Sequence, residues 1–494
     1  MEAHRSFCPL SLPRTTVKAW TASVRRYPHF DPVISEAEAT DIATDPDRVR
    51  LHTFYPFLRY DEGWNAYTEK GKSGKRKDRP IRFAARLDSC IFSYYRHLLS
   101  APYETKLQSE GLADAVIAYR RIAKASGGGG QSNIDFSLSA VEAIQSQGDC
   151  CSIALDISSF FETLDHDRLL DVWAELLGVP RLPNDHFKVF QAITRYAHVD
   201  VIQAYTRLGF YGDKTDRHGR TRPGYLKPRK EIPVQLCDGR TFQAKIARSA
   251  TQPSIIEVNK CGKGVPQGAP LSDLLANAYL LDFDKYLRDV CSEFGGKFFR
   301  YSDDILVIAP ISEIDARKLE ADIRGAISTY GKGLVIKEEK SAIHRFEVNG
   351  DRQAVFTVKA ADKSGNPMPS KPFEYLGFRY DGKHVYIRDK TMSNLHRKVA
   401  SVCRATAIRQ AKRYRGKTVH DILALTNIEK LIQAFGSVKD FKSKSADYRK
   451  WTFTTYAKRA SKTMGPLGKP IERQIKNLRS AIHRKLEYEL NRAR

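Results

Sequence analysis

A chain of 494 residues gives room for roughly two to four domains, and an apolar fraction of 41% excludes general disorder. The formal net charge of +25 calls for a polyanionic partner. No apolar run approaches the roughly 18 residues of a membrane span, and residues 1–20 lack the apolar core of a signal peptide, so nucleic acid is the expected polyanion and a membrane is not.

Residues 1–62 show no clear periodicity. Basic and aromatic residues interleave at Trp20, Arg25, Arg26, Tyr27 and Phe30, which suits a nucleic-acid arm or an N-terminal wrap on the core. A Gly/Lys turn over residues 71–77 leads into the strand-like run Arg79-Pro80-Ile81-Arg82-Phe83. Leu87, Ile91, Tyr94, Tyr95 and Leu98 then recur at helical spacing. Tyr119-Arg120-Arg121 and a four-glycine loop at residues 127–130 follow. Ser152-Ile153-Ala154-Leu155-Asp156-Ile157 reads as a buried strand ending in a carboxylate. Behind it come Phe160 and Phe161, then a helix with an acidic start near Asp165 and a glycine stop at Gly178. Residues 206–254, rich in Gly, Arg, Lys and Pro, read as an insertion or small β element holding Tyr205, Tyr211 and Tyr225 in or near it. Gly264-Val265-Pro266-Gln267-Gly268 forms a turn that opens a long apolar helix.

Phe298-Phe299-Arg300-Tyr301-Ser302-Asp303-Asp304-Ile305-Leu306-Val307-Ile308 reads as two buried strands joined by a tight turn with both carboxylates at the turn. An amphipathic helix follows (Ile314, Leu319, Ile323, Ile327), then a strand at Leu334-Val335-Ile336 leading to Lys340. Residues 345–372 form a second polar, hairpin-rich insertion, and Phe373-Glu374-Tyr375-Leu376-Gly377-Phe378 is a strand-turn element. The remainder is mostly helical and strongly basic. Residues 391–494 carry 25 Lys and Arg against 7 Asp and Glu, +18 of the total +25. The last helix begins near Pro470 and shows one apolar stripe, Ile471, Ile475, Leu478, Ile482 and Leu486. Arg473, Lys476 and Arg479 on its other faces are candidates for backbone binding or for an ordinary solvated surface. The eight cysteines are scattered without a Cys-x-x-Cys pair, and they are expected to be reduced thiols with no zinc site.

Two adjacent carboxylates in apolar surroundings are costly unless a cation lies between them and something else. Oxygen ligands of this kind suit Mg²⁺ serving a phosphate substrate, although a lone Asp-Asp also fits a surface hairpin with a polar tip. Two-metal phosphoryl transfer needs carboxylates from separate strands around ions about 3.5–4 Å apart, and Asp156 with Asp303 is the natural pair. Because side chains alternate along a strand, Asp303 is expected as the direct ligand and Asp304 as a partial or supporting one.

In this order, Leu155-Asp156-Ile157-Ser158-Ser159-Phe160-Phe161, Gly264-Val265-Pro266-Gln267-Gly268 and Arg300-Tyr301-Ser302-Asp303-Asp304 resemble motifs A, B and C of reverse transcriptases. Lys340-Ser341 resembles motif D, Tyr375-Leu376-Gly377 the primer grip, and Arg79-Pro80-Ile81 and Tyr119-Arg120 the upstream fingers motifs. The resemblance covers roughly residues 50–400. It implies an α+β right-hand polymerase with fingers, an antiparallel palm sheet and a helical C-terminal thumb. The implied divisions are an N-terminal extension (1–62), fingers (63–150), a palm (151–380) with insertions at about 206–254 and 345–372, and a basic helical thumb (381–494).

It implies catalysis by Asp156, Asp303, Asp304 and Lys340, with two Mg²⁺ ions, or Mn²⁺ in their place, held by Asp156, Ile157, Asp303 and Asp304. Arg79 and Arg120 would hold the triphosphate, Phe161 would be the steric gate against a 2′-hydroxyl, and Gln267 and Gly268 would touch the nascent base pair. The implied activity is DNA synthesis from dNTPs. An RNA template or noncoding RNA, the DNA product and a companion reverse transcriptase or second copy are the implied partners.

The long interval between Asp156 and Asp303 and the residue types around Lys340 depart from the family's compact members. No RNase H acidic set is evident after residue 400, and no Cys/His-rich endonuclease module follows. The chain is therefore similar to bacterial, cytoplasmic, defence-associated reverse transcriptases of the unknown-group and abortive-infection kinds, among them the second subunit of type 3 systems. Some abortive-infection relatives synthesise without a template from a protein hydroxyl, which draws attention to the tyrosines of the first insertion. Retron or group II intron-type enzymes and an RNA-binding scaffold on a polymerase fold are the alternatives.

Overall fold

The structure, a computed structural model, describes residues 20–65, 76–124, 127, 129–215, 219–248, 252–360, 371–435 and 452–493. Most of the expected 71–77 turn and of residues 1–20 lies outside them, as do parts of the glycine run at 127–130 and of the insertion at 345–372. The chain divides into two compact units. One comprises residues 1–113, 159–283 and 328–334, and the other residues 114–158, 284–327 and 335–494.

The strands are β1 (Phe57–Asn65), β2 (Arg76–Phe83), β3 (Cys150–Asp156), β4 (Ala197–Asp200), β5 (Tyr211–Thr215), β6 (Thr221–Tyr225), β7 (Glu257–Val258), β8 (Lys297–Tyr301), β9 (Asp304–Ala309), β10 (Ala342–Asn349), β11 (Arg352–Lys359), β12 (Phe373–Tyr375), β13 (Phe378–Tyr380) and β14 (Val385–Ile387).

The first unit holds a four-stranded sheet in the order β2-β1-β4-β7 and the separate β5–β6 hairpin. Its long helix, Arg86–Ser109, buries Ile91 and Tyr95 of the expected stripe, with Leu99 in place of Leu98, while Leu87, Tyr94 and Leu98 are half-buried. The helix His166–Leu177 starts and stops as its sequence predicts. Asp165 caps it by accepting from the Arg168 N–H, and Gly178 closes it in the left-handed region. Phe30, Leu58, Val199, Tyr205, Ile232 and Ile246 form one core cluster. Phe30 is thus part of a wrap on the core, and Tyr205 is a core residue rather than an exposed one.

The second unit is built on a five-stranded antiparallel sheet, β11-β10-β3-β9-β8. Its centre is apolar on both faces. Leu306 and Ile308 join the cluster under the helix Asn133–Gln147, while the equally buried Ile305 and Val307 alternate to the opposite face, where the helix Glu313–Ala326 lies against β3 and β10. The α+β class and the antiparallel palm sheet expected from the sequence are present. Part of the expected second insertion is the palm's own edge, because β10 pairs along β3 and β11 pairs along β10. Polar residues on an exposed edge strand disguise it as a loop in the sequence. The expected strand at 334–336 is a single bridge from Ile336 to Ile157.

A three-stranded sheet, β12-β13-β14, and a helical C-terminal region complete this unit. The expected last helix is broken into Lys469–Ile475 and Leu478–Ala493. Ile471 and Ile475 enter the palm-side cluster. Leu478, Ile482, Leu486 and Leu490 enter a second cluster with Leu395, Val399 and Cys403. The break lets one apolar stripe serve two cores.

Candidate active site

The β8–β9 hairpin carries its carboxylates where the sequence puts them. Tyr301 pairs with Asp304 across a two-residue turn, Ser302-Asp303, with Ser302 in the left-handed region at φ 62°. Asp156 ends β3 and stands directly opposite Asp304 of β9, so these two carboxylates share one face of the sheet. Asp303 lies in the turn, off the ladder, so strand alternation does not set its direction. Its carbonyl accepts the Ile157 N–H at 3.0 Å, which ties the turn to the end of β3.

Buried chemistry beneath the turn fixes its position. Arg300 and Asp284, both wholly buried, form a two-pronged ion pair with Nε–Oδ1 and Nη2–Oδ2 distances of 2.6 Å. The third prong, Nη1, donates to the Ser302 carbonyl at 3.2 Å. The Arg300 main chain also bonds to Ala115 and Ile117 on the neighbouring segment. The motif reading passes over this pair. The signal for it is an aspartate in the buried stripe of the amphipathic helix Leu281–Glu293, in line with Leu287 and Cys291, matched by an arginine inside an apolar strand.

The electrostatics follow from the crowding. Asp304 keeps contact with solvent, yet its pKa is pushed up to about 7. Protein packed around the carboxyl is the main cause. Repulsion from Asp303 and Asp156 adds to it, while Arg388 and Lys340 oppose it. Lys340 is paired with Asp156 through Nζ and Oδ1. Tyr375, Leu376 and Gly377 form the β12–β13 turn, with Leu376 at φ 43° and Gly377 at φ 94°. Glycine suits this position, whereas leucine is held there under strain. The Tyr375 hydroxyl is buried without a hydrogen-bond partner among the described residues; burial raises its pKa, and the Asp304 carboxylate nearby adds to that. Arg388 joins this group without a sequence signal. Its N–H binds the Gly377 carbonyl at 3.0 Å, and its guanidinium lies 3.9 Å from Glu374. Arg120 belongs to the same unit and donates back to the Val116 carbonyl.

Among the described residues, no group of three or more His, Cys, Asp or Glu side chains is gathered as a finished metal cage. The donor chemistry nonetheless fits a divalent cation. Three carboxylates sit on adjoining strand ends, one with its ionisation suppressed by burial and then by the other two, and a lysine ammonium is drawn onto one of them.

Phe161, Gln267, Gly268 and Arg79 lie in the first unit. Phe161, in the helix Phe160–Thr163, is half-buried, and its carbonyl accepts the Val265 N–H at 2.8 Å. Gln267 accepts the Arg82 N–H at 2.9 Å, and Gly268 sits at φ 119°, where an added Cβ would fall 2.6 Å from the Arg82 carbonyl. Only glycine allows this close approach to β2. Arg79 is exposed on that same strand. In the C-terminal region Arg473 and Lys476 are exposed, while Arg479 is ion-paired with Glu429.

Residues 236–380 match the family described as Reverse transcriptase (RNA-dependent DNA polymerase). The matched stretch takes in Gln267, Gly268, Asp303, Asp304, Lys340 and the 375–377 turn. The chain thus carries a reverse transcriptase domain, the catalytic domain of RNA-directed DNA polymerases. Among solved structures, apo telomerase from Candida tropicalis is similar at 11% identity over 86% of this chain and 61% of that one, with a TM-score of 0.37. Telomerase from Candida albicans in complex with a fragment of telomeric RNA is similar at 11% identity over 90% and 65%, with a TM-score of 0.34. The C-terminally truncated Candida tropicalis enzyme is similar at 11% identity over 64% and 53%, with a TM-score of 0.35. The chain spans between about half and two thirds of the length of these telomerases. No curated protein matches it. Among the described residues, no helix is long and apolar enough to cross a membrane.

Proposed function

We propose that this chain is an RNA-directed DNA polymerase that adds dNTPs to a primer end, with Asp156, Asp303 and Asp304 as its catalytic carboxylates. The observation that carries the reading is the register of β3 and β9. It sets Asp156 opposite Asp304, next to Asp303, from segments far apart in the chain. These carboxylates, with the Ile157 carbonyl, are the group that holds Mg²⁺, and Mn²⁺ is an acceptable substitute. Such ions, when bound, activate an attacking hydroxyl and stabilise a departing pyrophosphate.

The chain's own residues supply the rest. Lys340 neutralises charge on the leaving pyrophosphate and gives up its pairing with Asp156 to do so. Phe161 excludes a 2′-hydroxyl by volume, and Gln267 with Gly268 contacts the nascent pair. Arg79 and Arg120 hold triphosphate oxygens. The turn at Tyr375, Leu376 and Gly377 supports the primer end. The test is the double replacement Asp303→Asn/Asp304→Asn, which is expected to abolish dNTP incorporation while leaving the melting temperature near or above that of the wild type. Extension at a near-wild-type rate overturns the assignment.

Within this reading we place the chain among defence-associated bacterial enzymes that work with a small noncoding RNA and a companion subunit. The motif set with its basic insertions and tail supports that placement. DNA flanking the gene tests it, since an intron RNA around the gene would favour a maturase. Templated synthesis is favoured over priming from a tyrosine of the first insertion, because Tyr205 is buried and Tyr211 and Tyr225 are half-buried with their rings 5.5 Å apart. A DNA product made by nuclease-treated enzyme, with its mobility changed by protease, would reverse that preference. Normal DNA synthesis in a cell-free assay also separates this reading from that of an RNA-binding scaffold.

A further inference from the structure

The β5–β6 hairpin lies outside the motifs that carry the proposed chemistry. It is a two-stranded sheet with no third strand among the described residues. Such ribbons are marginal alone, and this one is anchored at its base. Tyr211 pairs with Tyr225, both rings pack against the core cluster of the first unit, and the Leu226 N–H binds the Phe210 carbonyl at 2.9 Å. Alternation then gives the ribbon two different faces. Tyr211, Asp213 and Thr215, with Thr221, Pro223 and Tyr225, share one. Gly212 and Lys214, with Gly224 and Arg222, share the other.

On that second face Lys214 and Arg222 are directly opposite each other, and both are exposed. Like charges in register weaken a ladder, so the pairing costs the fold stability and makes sense when an anion occupies the face. Gly224 leaves the surface beside the two cations bare, with nothing within 4 Å of where a Cβ would stand. At Gly212 the exposed side chain of Leu226 rests 3.4 Å from the corresponding point. The only acid on the strands, Asp213, is on the opposite face. No aromatic ring stands among these four positions to stack an unpaired base, because Tyr211 and Tyr225 lie on the other face.

We propose that this face of the β5–β6 ribbon is an auxiliary site for double-stranded RNA, with Lys214 and Arg222 on phosphates of the backbone. Two cations side by side on a face that offers no stacking ring fit the backbone of a duplex, and an RNA duplex is recognised by shape and backbone rather than by base. The choice of RNA rests on the reading of the chain as an RNA-directed polymerase, whereas the phosphate contact does not.

The experiment compares wild type with Lys214→Gln/Arg222→Gln in binding a labelled RNA hairpin, double-stranded DNA and single-stranded DNA over a range of salt. The expected result is roughly a tenfold loss for the RNA hairpin near physiological salt, with a salt slope shallower by about 1–2 units. The loss for single-stranded DNA should be much smaller. Extension of a short pre-annealed primer should be unchanged, and the melting temperature should be equal to or above that of the wild type. Unchanged RNA affinity and slope overturn the proposal, as does an equal loss for all three ligands. A greater loss for double-stranded DNA overturns the choice of RNA. The Asp303→Asn/Asp304→Asn enzyme should bind the RNA hairpin as the wild type does, so failure of the catalytic assignment leaves this test standing.

Discussion

Asp304 is an acid whose neighbours resist its charge. Its ordinary pKa in an unfolded chain is about 3.9, and the folded value is about 7. The folded state therefore binds the proton more tightly. The cost of ionising Asp304 is absent below about pH 4, grows through the interval and is complete above about pH 7. In EDTA, Asp304→Asn should raise the melting temperature at pH 8 and change it little at pH 4.5, and added Mg²⁺ should narrow the gap at pH 8 by stabilising only the wild type. Equal melting temperatures at pH 8 without metal would show that the repulsion is not felt. Phe161 makes a prediction of a different kind, because a gate acts by volume. Phe161→Val should raise ribonucleotide incorporation relative to dNTP incorporation, measured by competition on one primer. Unaltered discrimination would place the gate elsewhere.

The β8–β9 hairpin shows at the level of an element how a turn is held. Arg300 and Asp284 are both buried, so removing one leaves the other charged and unpaired. Arg300→Met should destabilise the protein by about 3–5 kcal/mol, as measured by urea unfolding. Arg300→Met/Asp284→Leu should recover much of that loss, since two apolar side chains can replace a buried pair. The double variant still lacks the donor to the Ser302 carbonyl, so DNA synthesis should stay low in a well-folded protein. Full recovery of activity would reduce the pair to packing.

This hairpin also marks how far the sequence can be read. Apolar flanks around Asp303-Asp304 disclose strands and turn, because burial leaves a local pattern. The pairing of Asp304 with Asp156 is invisible there, because register is a relation between distant segments and a slip of one residue would exchange the faces. The same limit hides β11, whose polar residues lie on the edge of the sheet, and the pairing of β10 between β11 and β3. It also hides the break at residues 476–477, which depends on two separate cores rather than on any local helix breaker.

At the scale of the whole molecule the charge is the strongest feature, and its largest share lies after residue 390. Replacing Arg473, Lys476 and Arg479 by Gln should weaken nucleic-acid binding and flatten its salt dependence by up to about one logarithmic unit per lost phosphate contact. Arg473 and Lys476 should contribute more than Arg479, which is already committed to Glu429. An unchanged slope in a fluorescence anisotropy titration would return that face to ordinary surface.

The order β11-β10-β3-β9-β8 carries a consequence for how the protein is made. The central strand, β3, emerges from the ribosome first of the five, and both of its neighbours are encoded far downstream. At ordinary translation speeds roughly 10–40 s separate the synthesis of β3 from that of β10. Until β9 is made Ile153 and Leu155 belong to a strand with two open edges, and until β10 is made one edge stays open, the kind of segment that seeks foreign partners. The nascent chain therefore depends on the cell's chaperones, or on early cover from the helix Asn133–Gln147, during an interval that no property of the finished enzyme reveals.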